Sequence, residues 1–235
     1  MSLTFKLLSS QLWVAQALLM RSRTPLLPEP EGERSGEVGE GALLRLLIVG
    51  DSSAAGVGVA TQEQALSGHL TRMLAQHSVR CVRWNLLARS GISSAHILPL
   101  VQQAAPAQAD VAVVLLGVND VIEQLPTRHA VAHREALANW LIAHCGVRHV
   151  VFSPLPPMGE FPALRPPLRW VVHADAQRHD RALAQWAATR NDVWHVPIPL
   201  TLSAAGMAAD GFHAGEPVYK VCGEALADFI SKRLL

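Results

Sequence analysis

The sequence has 235 residues, 50% of them hydrophobic, with 20 lysines and arginines against 19 aspartates and glutamates. This length and apolar content allow one substantial core, which excludes an intrinsically disordered chain. The balanced charge provides no basic field for nucleic acid, so we expect no nucleic-acid partner. No HExxH or CxxC pattern occurs among the 11 histidines and 3 cysteines, and we expect neither a metal nor another cofactor.

The first segment of the chain, residues 3–20, is mostly apolar, but serines and glutamines interrupt it and arginines follow it. Three interpretations stay open for it: a helix docked on the folded domain, a helix on a membrane surface, and an uncleaved export signal. The three separated cysteines suit buried free thiols in a reducing compartment. We therefore expect a cytoplasmic protein, with membrane association through residues 3–20 and export as open alternatives.

The next segment, residues 24–41, is rich in proline, glycine and glutamate and shows no periodicity. Such a composition predicts a linker or an extended strap. We accordingly expect an N-terminal apolar helix and linker over residues 1–42, followed by one folded domain over residues 43–235.

From residue 43 onward, apolar runs and helical periodicity alternate. Strands are predicted at 43–49, 79–87, 110–116, 148–153 and 192–198, and helices at 61–74, 93–103, 127–144, 174–190 and from 217. Thr61–Gln64 has the spacing of a capping box, while Arg80 and Arg83 suggest that the second strand lies at an edge. Five strands alternating with helices predict an α/β fold with one parallel sheet covered on both faces.

Four short signals lie at the ends of these elements. Gly50-Asp51-Ser52 follows the first strand, Ser90-Gly91 the second and Gly117–Asp120 the third, whereas Asp210–His213 precedes the last helix. Because parallel strands end at the same edge of a sheet, we expect the first three signals to meet there.

The residue types in these signals suit nucleophilic attack on an ester. Ser52 is the candidate nucleophile, His213 the candidate general base, and Asp210 the carboxylate that orients the imidazole. The negative charge that develops on the carbonyl oxygen needs hydrogen-bond donors. The candidates are the backbone N–H groups of Ser52 and Gly91 and the side-chain amide of Asn119.

Together the four signals resemble the sequence blocks of the SGNH (GDSL-type) hydrolase family, over about residues 43–233. The resemblance implies a flavodoxin-like three-layer αβα sandwich whose five parallel strands have the order 2-1-3-4-5. It also implies hydrolysis of carboxylic esters or thioesters without a metal, with Ser52, Asp210 and His213 in the roles assigned above. The chain departs from the family name at Ser53, where that name has leucine.

A proline-rich stretch, Ser153–Trp170, follows the fourth strand at the same edge. It predicts either a stiff apolar wall that binds substrate or a loop packed on a small core of its own. In the first interpretation, Met158, Phe161, Leu164 and Trp170 bind substrate. The expected partner is then a small-molecule ester or thioester with an apolar acyl or aryl group.

The main prediction is a serine esterase that works through an acyl-enzyme intermediate. Two alternatives stay open beside it. In the first, a sugar or lipid hydroxyl intercepts the acyl-enzyme, which makes the protein an acyltransferase. In the second, motivated by residues 3–20, the protein is a non-catalytic, membrane-associated binding protein.

Overall fold

The computed structural model describes residue 6, residues 10–23 and residues 27–235. The strands are β1 (Ser35–Val38), β2 (Ala42–Gly50), β3 (Arg80–Ala88), β4 (Val111–Leu115), β5 (His149–Phe152) and β6 (Val193–His195). They form one six-stranded sheet in the order β1-β3-β2-β4-β5-β6. Strand β1 is antiparallel to β3, and all other neighbouring strands are parallel.

Helices cover both faces of this sheet. They are α1 (Ser10–Arg23), α2 (Ser52–Ala55), α3 (Leu66–Ser78), α4 (Ser94–Ala104), α5 (Val118–Ile122), α6 (Thr127–Cys145), α7 (Leu168–Ala187) and α8 (Glu216–Arg233), with short 3₁₀ turns at Met158–Glu160 and Ala204–Gly206. Residues of α3 and α8 form one core with the sheet, and residues of α4, α6 and α7 form a second core on its other face. The result is the predicted three-layer αβα sandwich.

The order of the five parallel strands is confirmed, but the predicted number of strands is wrong. Ser35–Val38, in the segment predicted as a linker, adds a sixth, antiparallel strand. This strand covers β3, so β3 is not the edge that Arg80 and Arg83 suggested. Arg83 instead lies opposite Glu37 of β1, and its Nε donates to Glu37 Oε1 at 2.6 Å. A charged position in β3 thus marks a cross-strand ion pair rather than an exposed edge.

Three other elements begin or end three or more residues away from the predicted bounds, and the rest agree to within one residue. Helix α3 begins at Leu66 rather than at Thr61, because the Gln64 side chain closes a turn ahead of the helix. Its Oε1 accepts hydrogen bonds from the N–H groups of Ala60 and Thr61, at 3.3 Å each. Helix α7 begins at Leu168, inside the stretch predicted as a loop, and β6 keeps only Val193–His195.

Helix α1 lies against α7. Trp13 and Ala17 pack against a third, smaller apolar cluster that includes residues of α7. Gln16 Nε2 donates to the carbonyl oxygen of Pro166 at 2.9 Å, and Gln16 Oε1 accepts the N–H of Leu168 at 3.1 Å. Of the predicted apolar segment, residues 3–5 and 7–9 lie outside the described residues. No helix in the described part of the chain is long and apolar enough to cross a membrane.

Two adjacent leucines of β2 allow a matched test of the core. Leu44 is 0% exposed, whereas Leu43 is 42% exposed. We expect Leu44→Ala to lower the free energy of unfolding by about 2–5 kcal/mol, because it removes buried methyl groups and leaves a cavity. The same change at Leu43 should cost less than about 1 kcal/mol. Urea denaturation of both variants measures this, and equal losses would contradict the placement of β2.

Candidate active site

Ser52 opens α2 directly after β2 ends at the carboxyl edge of the sheet. The N–H of Asp51 donates to the carbonyl oxygen of Leu115 at 3.1 Å, which joins the ends of β2 and β4. Asp51 also caps α2, because its Oδ1 accepts the N–H of Ser53 at 2.8 Å. These two bonds fix the start of α2, so that Ser52 lies at the carboxyl edge of the sheet.

The Ser52 hydroxyl is joined to His213 and Asp210 by a chain of hydrogen bonds. His213 Nε2 lies 3.2 Å from Ser52 Oγ, and His213 Nδ1 lies 2.6 Å from Asp210 Oδ2. The other carboxylate oxygen of Asp210 accepts the N–H groups of Phe212 and His213, at 2.9 and 3.0 Å. These three residues have the geometry of a nucleophile, a base and an orienting carboxylate.

The hydrogen bonds of Asp210 keep its carboxyl ionised. Burial by itself works to raise the pKa of Asp210, but the bonds from the His213 side chain and from two backbone N–H groups outweigh it. The net pKa of Asp210 is therefore lowered. An ionised carboxylate against Nδ1 favours the imidazole tautomer whose Nε2 can accept a proton from serine.

The Asn119 side chain contacts the residues next to the two other candidate oxyanion donors. Asn119 stands on α5, and its Nδ2 donates to the carbonyl oxygen of Ile92 at 2.9 Å while lying 3.5 Å from Asp51 Oδ2. Ile92 follows Gly91, whose φ of +78° is readily adopted only by glycine. Asn119 is thus tied both to the loop that carries Gly91 and to the residue before Ser52.

A buried ion pair holds the short helix α5, which carries Asn119. Arg134 Nη2 lies 2.7 Å from Asp120 Oδ2, and both side chains are fully buried. The same nitrogen donates to the carbonyl oxygen of Leu116 at 3.2 Å, and Asp120 Oδ1 accepts the N–H of Ser94 at 2.7 Å. At Gly117, φ is +142° and a Cβ would lie 2.6 Å from Arg134 Nη2, so this position needs glycine.

The extended segment ahead of β1 braces the loop that carries Gly91. Glu29 Oε1 accepts both the N–H and the hydroxyl of Ser90, at 2.9 and 2.8 Å. Arg34 donates to Glu29 Oε2 and to the carbonyl oxygen of Ala88, at 2.6 Å each. Burial works to raise the pKa of Glu29, but the bonds from Ser90 and Arg34 lower it overall. Sequence reasoning missed this brace, because a lone glutamate among prolines carries no periodic signal.

An apolar pocket of about 80 Å³ opens beside Ser52 and His213. Its lining comes from helices, a strand end and loops and is mostly apolar. The large apolar residues in it include Leu66, Leu115, Leu155, Phe161, Leu202, Met207, Phe212, Val218, Tyr219 and Cys222. Burial raises the pKa of the Cys222 thiol to about 12, so this side chain presents a neutral thiol to the pocket.

Only one of the four predicted substrate-binding residues lines this pocket. Phe161 does so, whereas Met158 and Leu164 are fully buried in the third apolar cluster, as the small-core interpretation predicts. Trp170 is an exposed residue of α7 and does not line the pocket. The assignment of Met158, Leu164 and Trp170 to the pocket lining is therefore corrected.

The pocket residues that sequence reasoning missed lie on regular helices. Leu66 belongs to α3, and Tyr219 and Cys222 belong to α8. Each is also part of the core against the sheet. Packing in that core is enough to explain an apolar residue at these helical positions, so the sequence carries no separate sign of a pocket. In the described part of the chain, no group of three or more histidine, cysteine, aspartate or glutamate side chains could hold a metal ion.

Comparison with known proteins identifies the family. The profile of the GDSL-like lipase/acylhydrolase family matches residues 48–221, which include every residue of the Ser52–His213 arrangement. The chain belongs to this family. A curated relative, the GDSL-like esterase Rv1075c of Mycobacterium tuberculosis, is 26% identical over an alignment of 206 residues that covers 81% of this chain. The chain spans 64% of the length of that relative.

Solved structures of other proteins share the fold of this GDSL-like chain. A member of the lipolytic G-D-S-L family from Veillonella parvula superposes with a TM-score of 0.62 at 14% identity, over 81% of this chain and 100% of the other. Axe2, an acetylxylan esterase from Geobacillus stearothermophilus, superposes with a TM-score of 0.59 at 19% identity, over 82% and 95%. At these identities the likeness shows the fold alone.

The pH dependence of the free energy of unfolding tests the burial of the Asp51 carboxyl. Desolvation raises the pKa of Asp51 from 3.8 to about 6, although the bonds from Ser53 oppose it. The folded state therefore holds this proton more tightly than the unfolded state, and stability from this group is lost as the pH rises from about 4 to about 7. A difference of about two pKa units corresponds to about 3 kcal/mol.

We expect this loss in the wild type and not in Asp51→Asn, whose amide oxygen can still accept the N–H of Ser53. Urea denaturation of both proteins at about pH 4 and about pH 7 measures the difference, in which the contributions of other groups cancel. The exposed Asp228→Asn is the matched control and should follow the wild type. Equal pH dependence in wild type and Asp51→Asn would contradict the raised pKa.

Proposed function

We propose that the protein is a serine esterase that hydrolyses carboxylic esters or thioesters through an acyl-enzyme intermediate. The observation that carries the proposal is the chain of hydrogen bonds from Asp210 through His213 to Ser52, at the mouth of an apolar pocket. Membership of the GDSL-like lipase/acylhydrolase family supports the reaction class.

In the first step, Ser52 Oγ attacks the carbonyl carbon of the ester. His213 Nε2, 3.2 Å away, takes the hydroxyl proton as the bond forms. Asp210 holds the proton on Nδ1 and stabilises the imidazolium that results. His213 then gives the proton to the leaving alcohol or thiol, which leaves the acyl group on Ser52.

Charge on the carbonyl oxygen of the tetrahedral intermediate is stabilised by three donors. We assign these to the backbone N–H groups of Ser52 and Gly91 and to the Asn119 amide, whose attachment to Ile92 keeps it beside the Gly91 loop. A water molecule deprotonated by His213 then attacks the acyl-enzyme, and the same donors serve a second time. The acid leaves and Ser52 regains its proton.

The lining of the pocket supports an ester with an apolar acyl or aryl group. Leu115, Leu155, Phe161 and Phe212 are among the side chains that line it beside Ser52 and His213.

As a further part of the proposal, residues 3–20 contact a membrane surface, and residues 43–235 carry the catalytic domain.

Substitution of two neighbouring serines tests which hydroxyl is the nucleophile. Ser52 and Ser53 both line the pocket, but only Ser52 bonds to His213. We expect Ser52→Ala to lower kcat on p-nitrophenyl acetate or butyrate by about 10⁴-fold or more, because no activated oxygen remains. Ser53→Ala should keep kcat within about tenfold, since the Ser53 hydroxyl bonds to the Asp51 carboxyl and it is Ser52 Oγ that contacts His213. Turnover by Ser52→Ala at the wild-type rate would refute the assignment.

The brace at Glu29 should affect turnover more than folding. In Glu29→Ala, Ser90 loses two hydrogen bonds and the Gly91 N–H is less well held, so we expect kcat to fall by roughly ten- to a hundredfold. KM and the thermal midpoint should change little. Glu33→Ala, the same change at an exposed position of the same segment, is the control and should resemble the wild type. An unchanged kcat in Glu29→Ala would show that the brace does not position an oxyanion donor.

A further inference from the structure

The side of α1 that faces away from the protein carries large apolar side chains. Leu12, Val14 and Leu18 are 57%, 42% and 66% exposed, and at about 100° per residue they span an arc of about 160° that also holds the exposed Gln11. The inner side of the helix carries Trp13, Ala17 and the hydrogen-bonded Gln16. A surface helix normally turns its apolar stripe inward and its polar side outward. On α1 large apolar side chains remain outside after the helix has docked, which marks an interaction surface.

Acidic residues are scarce in the two segments that form this face. Residues 10–23 contain no aspartate or glutamate, and neither do residues 161–174, which include the segment bonded to Gln16. The next residue of α7, Asp175, is a carboxylate, but it is paired with Lys6 Nζ at 2.6 Å. Arg165 and Arg169 stand immediately beside Pro166 and Leu168, the two residues that Gln16 contacts. The exposed Trp170 follows Arg169. Tryptophan and arginine next to an apolar face are typical of proteins that sit at the interface of an anionic bilayer.

We propose that the α1 surface, defined as the outer face of α1 with Arg165, Arg169 and Trp170, docks on a bilayer that carries anionic lipids. The leucines enter the boundary between headgroups and acyl chains, and the exposed Arg165 meets the lipid phosphates. Arg169 is half-buried beside it, and its Nε donates to the carbonyl oxygen of Leu164 at 2.7 Å. The inner side of α1 stays on α7, so the helix offers only one side to lipid. This proposal names the membrane partner in the proposed function, but lipid binding does not require ester turnover.

The α1 surface lies next to the residues that line the pocket. Trp13 and Ala17 pack against the same cluster as Phe161, Met207 and Phe212, which line the pocket beside Ser52. The segment from Phe161 to Leu168 runs from the pocket wall to the bond with Gln16. Docking through α1 therefore brings the pocket close to the bilayer surface, where esters with apolar groups accumulate.

Co-sedimentation with sucrose-loaded vesicles tests the proposal on the full chain. The probes are vesicles of phosphatidylcholine alone and vesicles in which phosphatidylglycerol replaces part of it. We expect the wild type to prefer the anionic vesicles and to lose that preference at high salt. Leu12→Glu/Leu18→Glu should lower the vesicle partition coefficient by about tenfold or more, because charges replace the apolar side chains that enter the bilayer. Arg165→Gln should weaken binding to anionic vesicles by about fivefold.

The matched control is Val79→Glu/Val221→Glu, which adds the same charge at two exposed apolar positions outside the α1 surface. It should bind vesicles nearly as the wild type does. All variants should hydrolyse soluble p-nitrophenyl acetate at the wild-type rate, so a failure of the esterase proposal is seen separately. Wild-type protein that stays off anionic vesicles would overturn the proposal, as would equal binding by the Leu12/Leu18 variant. A dimer that this variant abolishes, without vesicle binding, would show that a second copy covers the face.

Discussion

The site depends on the close approach of Gly50 to the end of the neighbouring strand. A Cβ at this position would overlap the carbonyl oxygen of Leu115 and lie 2.7 Å from the Cβ of Ala54. Only glycine lets β2 end against β4 while the next N–H, that of Asp51, bonds to the same carbonyl oxygen. The chain can then turn at once into α2, which brings Ser52 to the carboxyl edge of the sheet, within 3.2 Å of His213 Nε2.

The buried Asp120–Arg134 ion pair behind the site lowers the stability of the fold. Asp120 and Arg134 are fully buried, and Nε and Nη1 of Arg134 have no hydrogen-bond partner among the described residues. An unpaired buried donor costs about 1–3 kcal/mol, and a buried ion pair is weak evidence for stabilisation. The benefit of this pair is positional, because it joins the loop after β4 to the start of α4 and thereby sets Asn119 beside the Gly91 loop. The raised pKa of Asp51 reflects the same low-dielectric surroundings.

The parts of the structure that follow from local patterns could be predicted from the sequence. An apolar run that ends in Gly50 marks a buried strand, and parallel strands end at one edge, so the proximity of Ser52 and Asn119 was expected. The antiparallel strand Ser35–Val38 could not be predicted, because its pairing with β3 is a long-range contact and its residues lack alternation. The role of Glu29 could not be predicted for the same reason, because its contact with Ser90 is long-range. The pocket residues on α8 could not be recognised because core and pocket positions share one apolar stripe of that helix.

The proposed catalysis depends on one activated hydroxyl, and covalent labelling by a fluorophosphonate locates that hydroxyl. Only a serine whose proton a base can remove reacts readily with this probe, and the adduct can be located by mass spectrometry of the digested protein. We expect an adduct on Ser52, formed much more slowly in Asp210→Asn because the imidazole is then held in the wrong tautomer. An adduct on Ser53, or no adduct at any serine of the folded protein, would contradict the proposed catalysis.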